Sequence, residues 1–566
     1  FFARSFADGD AVLQLYPEFH FLKDSLARGD TIGWNPHVLS GFPTAASLMG
    51  GLQSWLHQLA VGAMSPETAY AWLTWFYFLL AAGFTYALAR VIGLRHSSAV
   101  FAGMVAPWVT ANAAWAANLT MTPSFFLLPA LLFAAHVFAT RPWNVRLAVL
   151  LGVGILVGTA WHAAHVQMAT YAAVAAMAWA AALDLRQRRL RAFPLTVLTL
   201  LVALVIAWPQ LALMLQARQY SARLTQGVSM AEVNRSAVRL GDYLSLALPS
   251  LSLPKITFNP GLLHAGVIPL LLGVISWRRR REFSYRFFLA LLLFTAAASF
   301  KHSPLLWLMQ QLPVFSTFRA PARLMHLGMF ALVMISACGL EEFLDWKRGD
   351  AGSSGRLRQR LWQGALAFIA AVAIWSAAFG QLRPAISRSV LAYLDARRPL
   401  AERTFPAEHY RQVVERLLDG IDRSTTVPHL PMATLLLSVL AAAGLLVYRE
   451  RFPQKLLVVL VCSVAVSTLV LAASDRLPTV PRSQLEEPPL PAKLISTIGA
   501  ADARVFTVFA GLTMFERLDT PYGYHPEDNV ELLKNLLSPN LALRYGIDSL
   551  DGYDNLMDHR HSRLRA

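Results

Sequence analysis

The fold class predicted by this sequence is a polytopic α-helical membrane protein, and three observations predict it. Of 566 residues, 55% are hydrophobic and only 15% are charged, with a mean hydropathy of +0.44. The apolar residues gather into runs approaching the ~20 residues that a membrane-crossing helix needs. The formal charge of +16 is carried mostly by arginines in short turns between those runs, which a membrane explains better than nucleic acid does.

Residues 1–67 form a first loop, polar, aromatic and rich in carboxylates (Asp8, Asp10, Glu18, Asp24, Asp30) and in turn formers such as Gly29, Gly33, Asn35, Pro36, Gly41 and Pro43. Within it, residues 51–66 carry Gln53, His57 and Gln58 and read as an interfacial or re-entrant helix. The transmembrane domain follows over 68–473, with about twelve spans near 68–92, 98–117, 121–139, 147–161, 164–184, 194–215, 262–277, 286–299, 324–343, 361–380, 430–448 and 456–473. The arginine-rich turns Arg90 to Arg95, Arg141 to Arg146, Arg186 to Arg191, Arg278 to Arg286, Lys347 to Arg360 and Arg449 to Lys455 fall at every second connection. The positive-inside rule assigns them to the cytoplasm. Residues 1–50, 216–261, 300–323, 381–429 and everything after 474 then face outward.

Among the outward connections, 401–423 reads as an amphipathic surface helix with Val413, Val414, Leu417 and Leu418 as its apolar stripe. Residues 474–566 read as the start of an outer α/β soluble domain. Its proline-rich 477–492 suits a linker, Arg504 to Phe509 a strand and Asn529 to Leu537 a short helix. The chain opens at Phe1 with no recognisable signal peptide, and an outward first loop needs a preceding segment to carry it across. A further N-terminal membrane helix and a larger C-terminal domain are therefore expected. The two cysteines, Cys338 and Cys462, sit in apolar runs and suit neither a structural disulfide nor a metal site.

Three groups of residues are candidates for chemistry. Asp8 and Asp10, two apart, can bind a divalent cation or supply a general base; equally, two acids in a loop can simply be solvated. His162 and His165, with Gln167 beside them, are spaced for one helix face. They suit metal or phosphate, or backbone hydrogen bonding at the interface. Arg319 and Arg323 run against the positive-inside trend at an outer helix end. Either they grip a phosphate through parallel hydrogen bonds or they snorkel to lipid headgroups. No phosphate-binding glycine loop, dinucleotide fingerprint or HExxH motif occurs. The glycines between Gly152 and Gly158 read as close helix packing.

The order of these elements resembles the YfhO-like family of bacterial membrane proteins. Asp10, Gln14, Tyr16 and Pro17 match its D-x-x-x-Q-x-Y-P start. Gly29, Trp34, Asn35, Pro36, Gly41, Phe42 and Pro43 match its G-x-x-x-x-W-N-P … G-x-P segment. His165, Gln167 and Tyr171 resemble its G-H-x-Q-x-x-x-Y helix, with Ala164 in place of the glycine, and Gly266 and Pro269 resemble a glycine-containing helix start. Phe318, Arg319, Pro321 and Arg323 resemble F-R-x-P-x-R, and Tyr545, Gly552, Tyr553 and Asp554 a closing G-Y-D element.

That family is similar to the GT-C superfamily of membrane glycosyltransferases, which draw a sugar from a polyprenyl-phosphate donor outside the membrane. The resemblance implies a GT-C-like fold in the bacterial cytoplasmic membrane, with its site facing the outside or periplasm. It implies transfer of a sugar to an envelope glycan or lipid acceptor, with membrane lipids and no nucleic acid as partners. Asp10 would be the base, with Asp8 second. Arg319, Arg323 and His165 would hold the donor phosphate, while Tyr16, Trp34, Asn35, Gln167 and His162 would contact substrate or acceptor. Loop 216–261 would cover the donor groove. The resemblance fixes no cofactor; a divalent cation is compatible with it, as some GT-C enzymes use one. A transporter or flippase of lipid-linked sugars and a non-catalytic envelope scaffold are the competing expectations.

Overall fold

The computed structural model describes residues 4–7, 10–47, 50–109, 115–116, 118–217, 228–246, 263–345, 354–397, 407–427, 429–474, 479–498, 504–505, 526–537 and 540–550. Asp8, the closing Gly552, Tyr553 and Asp554, and much of loop 216–261 lie outside them.

The chain opens with strand β1 (Arg4–Phe6), a single π-helical turn (Ala11–Leu15) and helix α1 (Tyr16–Arg28). The first part of the bundle comprises α2 (Trp55–Ala63), α3 (Pro66–Val91), α4 (His96–Val105), α5 (Leu127–Thr140), α6 (Trp143–Trp161), α7 (Val166–Gln187) and α8 (Ala192–Ala217). After the short α9 (Met230–Arg235) come α10 (Val267–Ile275), α11 (Phe283–Ser299), α12 (Pro304–Gln310) and α13 (Met325–Asp345). The remaining long helices are α14 (Ser354–Arg397), α15 (Ala407–Thr425), α16 (Leu430–Tyr448) and α17 (Gln454–Ser474). Strand β2 (Thr479–Pro481) and the short helices α18 (Arg482–Glu486), α19 (Leu490–Ile498), α20 (Pro526–Asn535) and α21 (Leu541–Arg544) follow.

Among the described residues, nine helices are long and apolar enough to cross a membrane: α3, α5, α6, α7, α8, α13, α14, α16 and α17. This is a predominantly α-helical polytopic membrane fold. The other three expected spans correspond to shorter apolar helices, α4 with 10 residues, α10 with 9 and α11 with 17. A 3-10 turn containing Pro107 follows α4, where proline cannot continue the helical hydrogen bonding. Helix α10 packs closely on α13, where a Cβ at Gly339 would collide with the Leu272 backbone.

Local chemistry sets the helix limits. Ser65 caps α3 by accepting from the Thr68 amide, with Pro66 at the first helical position. Helix α1 stops at Gly29, whose φ of 70° suits a left-handed C-cap. Asp184, near the end of α7, accepts the backbone N–H groups of Arg191, Ala192 and Phe193 at 2.8–3.0 Å. It thereby satisfies the exposed donors at the start of α8. Gly154 and Gly158 face α8, where a Cβ would meet Val202 or the Ala203 backbone at 2.8–2.9 Å, so the expected close packing is realised at these two, whereas a Cβ at Gly152 would meet nothing within 4 Å.

Helix α14 has 44 residues, roughly 66 Å at 1.5 Å per residue, twice the hydrocarbon thickness. Its far half packs against the amphipathic α15, with Phe379, Val414 and Leu418 buried together. Of the expected helix 401–423, residues 407–423 are helical, with Val414 and Leu418 of its stripe against α14; 401–406 lie outside the described residues.

Residues 477–492 require a correction. Within this stretch, β2 pairs antiparallel with β1, Arg4 opposite Pro481, and two helices follow. The prolines are compatible with this order because Pro491 lies in the first turn of α19, where a missing N–H is tolerated. Val505 forms a bridge with Ser549, consistent with an expected strand of which only 504–505 are described. The C-terminal segment docks on the opening residues through Glu67, which meets Arg544 at 2.7 Å, His20 at 2.9 Å and Arg482 at 3.8 Å.

Candidate functional site

Asp10 stands at the N-terminal edge of the π-helical turn Ala11–Leu15, whose five residues are all buried. Such turns are rare and concentrate at functional sites. The carboxyl is half-buried, and Asn118 Nδ2 donates to its Oδ2 at 2.8 Å. Enclosure by protein pushes the Asp10 carboxyl above its ordinary range, against the opposing pull of Arg323, of the Asn118 amide and of Arg319.

The two arginines come from the Phe318-to-Arg323 element, which is pinned at three consecutive carbonyls. Gln310 donates to the Phe318 carbonyl at 3.2 Å, Ser236 to the Arg319 carbonyl, and Gln167 to the Ala320 carbonyl at 2.8 Å. Pro321 then opens the 3-10 turn Pro321–Leu324 that leads into α13. These three bonds fix the backbone from which both arginine side chains start.

Arg323 turns into the bundle. Its Nη1 donates to His165 Nε2 at 2.8 Å and to Gln167 Oε1 at 3.2 Å. Its guanidinium also lies over the Trp115 ring, 5.5 Å from the centroid. A guanidinium has no acceptor, so His165 Nε2 must present a lone pair. The hydrogen-bond network therefore assigns a neutral imidazole with its proton on Nδ1. Gln167 also donates to the Tyr171 hydroxyl at 2.9 Å. Sequence reasoning left lipid snorkelling open for these arginines; at Arg323 the inward contacts oppose it.

Asp10, Arg319, Arg323, His165 and Gln167 therefore gather at one end of the bundle, from three separate parts of the sequence. The remaining candidates make contacts of their own. Tyr16 is buried at 1% exposure and packs on Tyr70 with ring centroids 4.9 Å apart. Asn35 is also buried, pairs with Phe42 through two backbone hydrogen bonds and accepts from the His37 amide at 3.0 Å. Trp34 lies across Gly41, whose φ is 116° and where a Cβ would strike the indole. The tryptophan–asparagine–proline–glycine motif thus builds a tight loop, and its residues do not join the Asp10 cluster. His162 bonds Gln210 Oε1 at 2.8 Å and the Ile206 carbonyl at 3.2 Å, tying α6 to α8. Gln14 donates to Glu18 at 2.9 Å.

Sequence reasoning missed Asn118 and Trp115, which lie on one turn. The available signal was a polar interruption, Asn118, Thr120 and Thr122, between two apolar runs. Among the described residues, no group of three or more His, Cys, Asp or Glu side chains converges as a metal site would.

No family model matches the chain, and no curated protein matches it. Two solved structures do. ArnT from Cupriavidus metallidurans bound to undecaprenyl phosphate is 15% identical with a TM-score of 0.48, over 99% of this chain and 84% of that one. Its apo state is 14% identical with a TM-score of 0.44, over 98% and 83%.

Proposed function

We propose that this chain is a GT-C-type membrane glycosyltransferase. It moves a sugar from a polyprenyl-phosphate donor to a cell-envelope acceptor on the outer side of the bacterial cytoplasmic membrane. The observation that carries this reading is a half-buried Asp10, held by Asn118, within the electrostatic reach of Arg323 and Arg319. A scaffold has no need of a half-buried acid in the field of two arginines. The YfhO-like motifs of the sequence agree with the reading.

The reaction is a single displacement. Asp10 accepts the proton of an acceptor hydroxyl as its oxygen attacks the anomeric carbon. The carbon–oxygen bond to the donor phosphate breaks on the opposite face, inverting that centre and releasing polyprenyl phosphate. Arg319 and Arg323 stabilise the charge that grows on the departing phosphate. His165 and Gln167 hold Arg323 in place through neutral acceptors, so they orient the guanidinium without themselves cancelling its charge. A base works best when its affinity for protons nears that demanded by the working pH, and the enclosure of Asp10 moves it in that direction.

The test is incubation of the purified chain in bilayers with labelled polyprenyl-phosphate sugars, following release of polyprenyl phosphate. Release by wild type and not by Asp10→Asn supports transfer. Passage of intact donor across the bilayer with no release would favour a flippase.

A further inference from the structure

The turn at 115–122 reaches both halves of the candidate site. Its Trp115 lies over the Arg323 guanidinium, and its Asn118 amide donates to Asp10. The two are joined within the turn, since the Asn118 amide N–H bonds the Trp115 carbonyl at 2.9 Å. The turn is anchored from outside as well: the Leu119 N–H donates to the Tyr70 hydroxyl of α3 at 3.0 Å.

The orientation of the Asn118 side chain is fixed by its other end. Asn118 Oδ1 accepts from the Thr120 backbone N–H at 3.0 Å and from the Thr120 hydroxyl at 2.6 Å. Two donors identify that atom as the amide oxygen, so the NH₂ group must face Asp10. Asn118 is buried at 3% exposure, where a side-chain amide is retained only with its hydrogen bonds made.

We propose that Asn118 is a positioning residue for Asp10: it clamps the carboxylate through Oδ2 and leaves Oδ1 to take the acceptor's proton. The inference rests on the transferase reading for its catalytic meaning, though not for its geometry. Among the described residues, the charged groups acting on Asp10 are Arg319 and Arg323. His165 reaches it only through Arg323, and the sequence of the turn, Trp115 to Thr122, contains no titratable side chain. The Asn118 N–H favours the ionised carboxylate, so its loss makes Asp10 harder to ionise.

The experiment titrates Asp10 directly. Infrared pH-difference spectra of the full chain in nanodiscs contain the C=O stretch of each protonated carboxyl, and the band missing from Asp10→Asn belongs to Asp10. Asn118→Ala should raise the midpoint of that band by about 0.5–1 unit, the scale of one lost donor to a carboxylate. Thr120→Val removes one of the two donors that orient the amide and should raise it by less. An unmoved midpoint in Asn118→Ala overturns the proposal. If that variant does not fold, an unmoved midpoint in Thr120→Val overturns it instead. No donor turnover by wild type alongside a shifted midpoint in Asn118→Ala would sink the transferase reading and leave the clamp standing.

Discussion

Helix α13 joins two arginine clusters, one at each end, and they are built in opposite ways. At its C-terminal end, Arg279 meets Glu341 and Glu342 at 2.9 Å each and Glu282 at 3.5 Å, while Arg95 meets Asp345 at 2.6 Å and donates its backbone N–H to Glu341. Here carboxylates answer arginines directly, which suits a clasp between helices. At the other end, Arg323 hydrogen-bonds to the neutral His165 and Gln167 and stacks on Trp115. Positive charge is held there by groups that orient it. The same residue type thus serves cohesion at one end and, on our reading, an anionic substrate at the other.

The sharpest way to break this comparison is at Asp10. Asp10→Asn should lower donor turnover about 10²-fold or more, the scale of general-base loss, with donor binding changed much less. Near-normal turnover would remove the acid from the chemistry.

Arg323→Lys comes next. Lysine keeps the charge and loses the planar fork, so donor phosphate binding should weaken by roughly 1.5–3 kcal/mol, about 10- to 150-fold, read from a binding isotherm. The inward contacts of Arg323 give it at least an equal share with Arg319.

At the opposite end the expectation reverses. Arg279→Met leaves the nearly buried Glu341, 4% exposed, without a principal partner. It should lower stability by about 2–4 kcal/mol, discounted for the partial exposure of the arginine and seen as a fall in Tm. Donor binding per folded molecule should stay within about twofold of wild type, because no donor contact is removed. A large loss of binding there would erase the distinction between the two clusters.

The smallest effect is on stability against pH. The folded-state pKa of Asp10 is raised above its unfolded value. The folded form therefore holds the proton more tightly, and stability is lost as pH rises through the folded pKa. Asp10→Asn removes that loss, so the inactive variant should melt slightly above wild type at neutral pH. The difference should fade below the usual carboxylate range. A variant that melts lower at neutral pH would contradict the burial argument.

How much of this was legible beforehand depends on the kind of signal. Long apolar runs bounded by arginine turns marked the nine membrane-length helices among the described residues, because a lipid-facing helix must be apolar along its length. They did not reveal that α4, α10 and α11 are short, since hydropathy does not report where Pro107 or a packed backbone at Gly339 intervenes. The arginines and His165 were legible because charge near a span needs a reason. Asn118 was not: a single asparagine beside an apolar run looks like the edge of a helix, and only the folded turn brings it to Asp10. Trp34 and Asn35 show a further limit, since their motif builds a tight loop whose contacts could not be read from its composition.

The central claim is that the Arg319–Arg323 end of α13 holds a phosphate. The most direct measurement compares binding of undecaprenyl phosphate and neutral undecaprenol to the chain in nanodiscs, for wild type and Arg323→Lys. The account expects wild type to prefer the phosphorylated lipid strongly and the lysine variant to lose about tenfold or more of that preference. Equal binding of both lipids by wild type, or an unchanged preference in the variant, would contradict it.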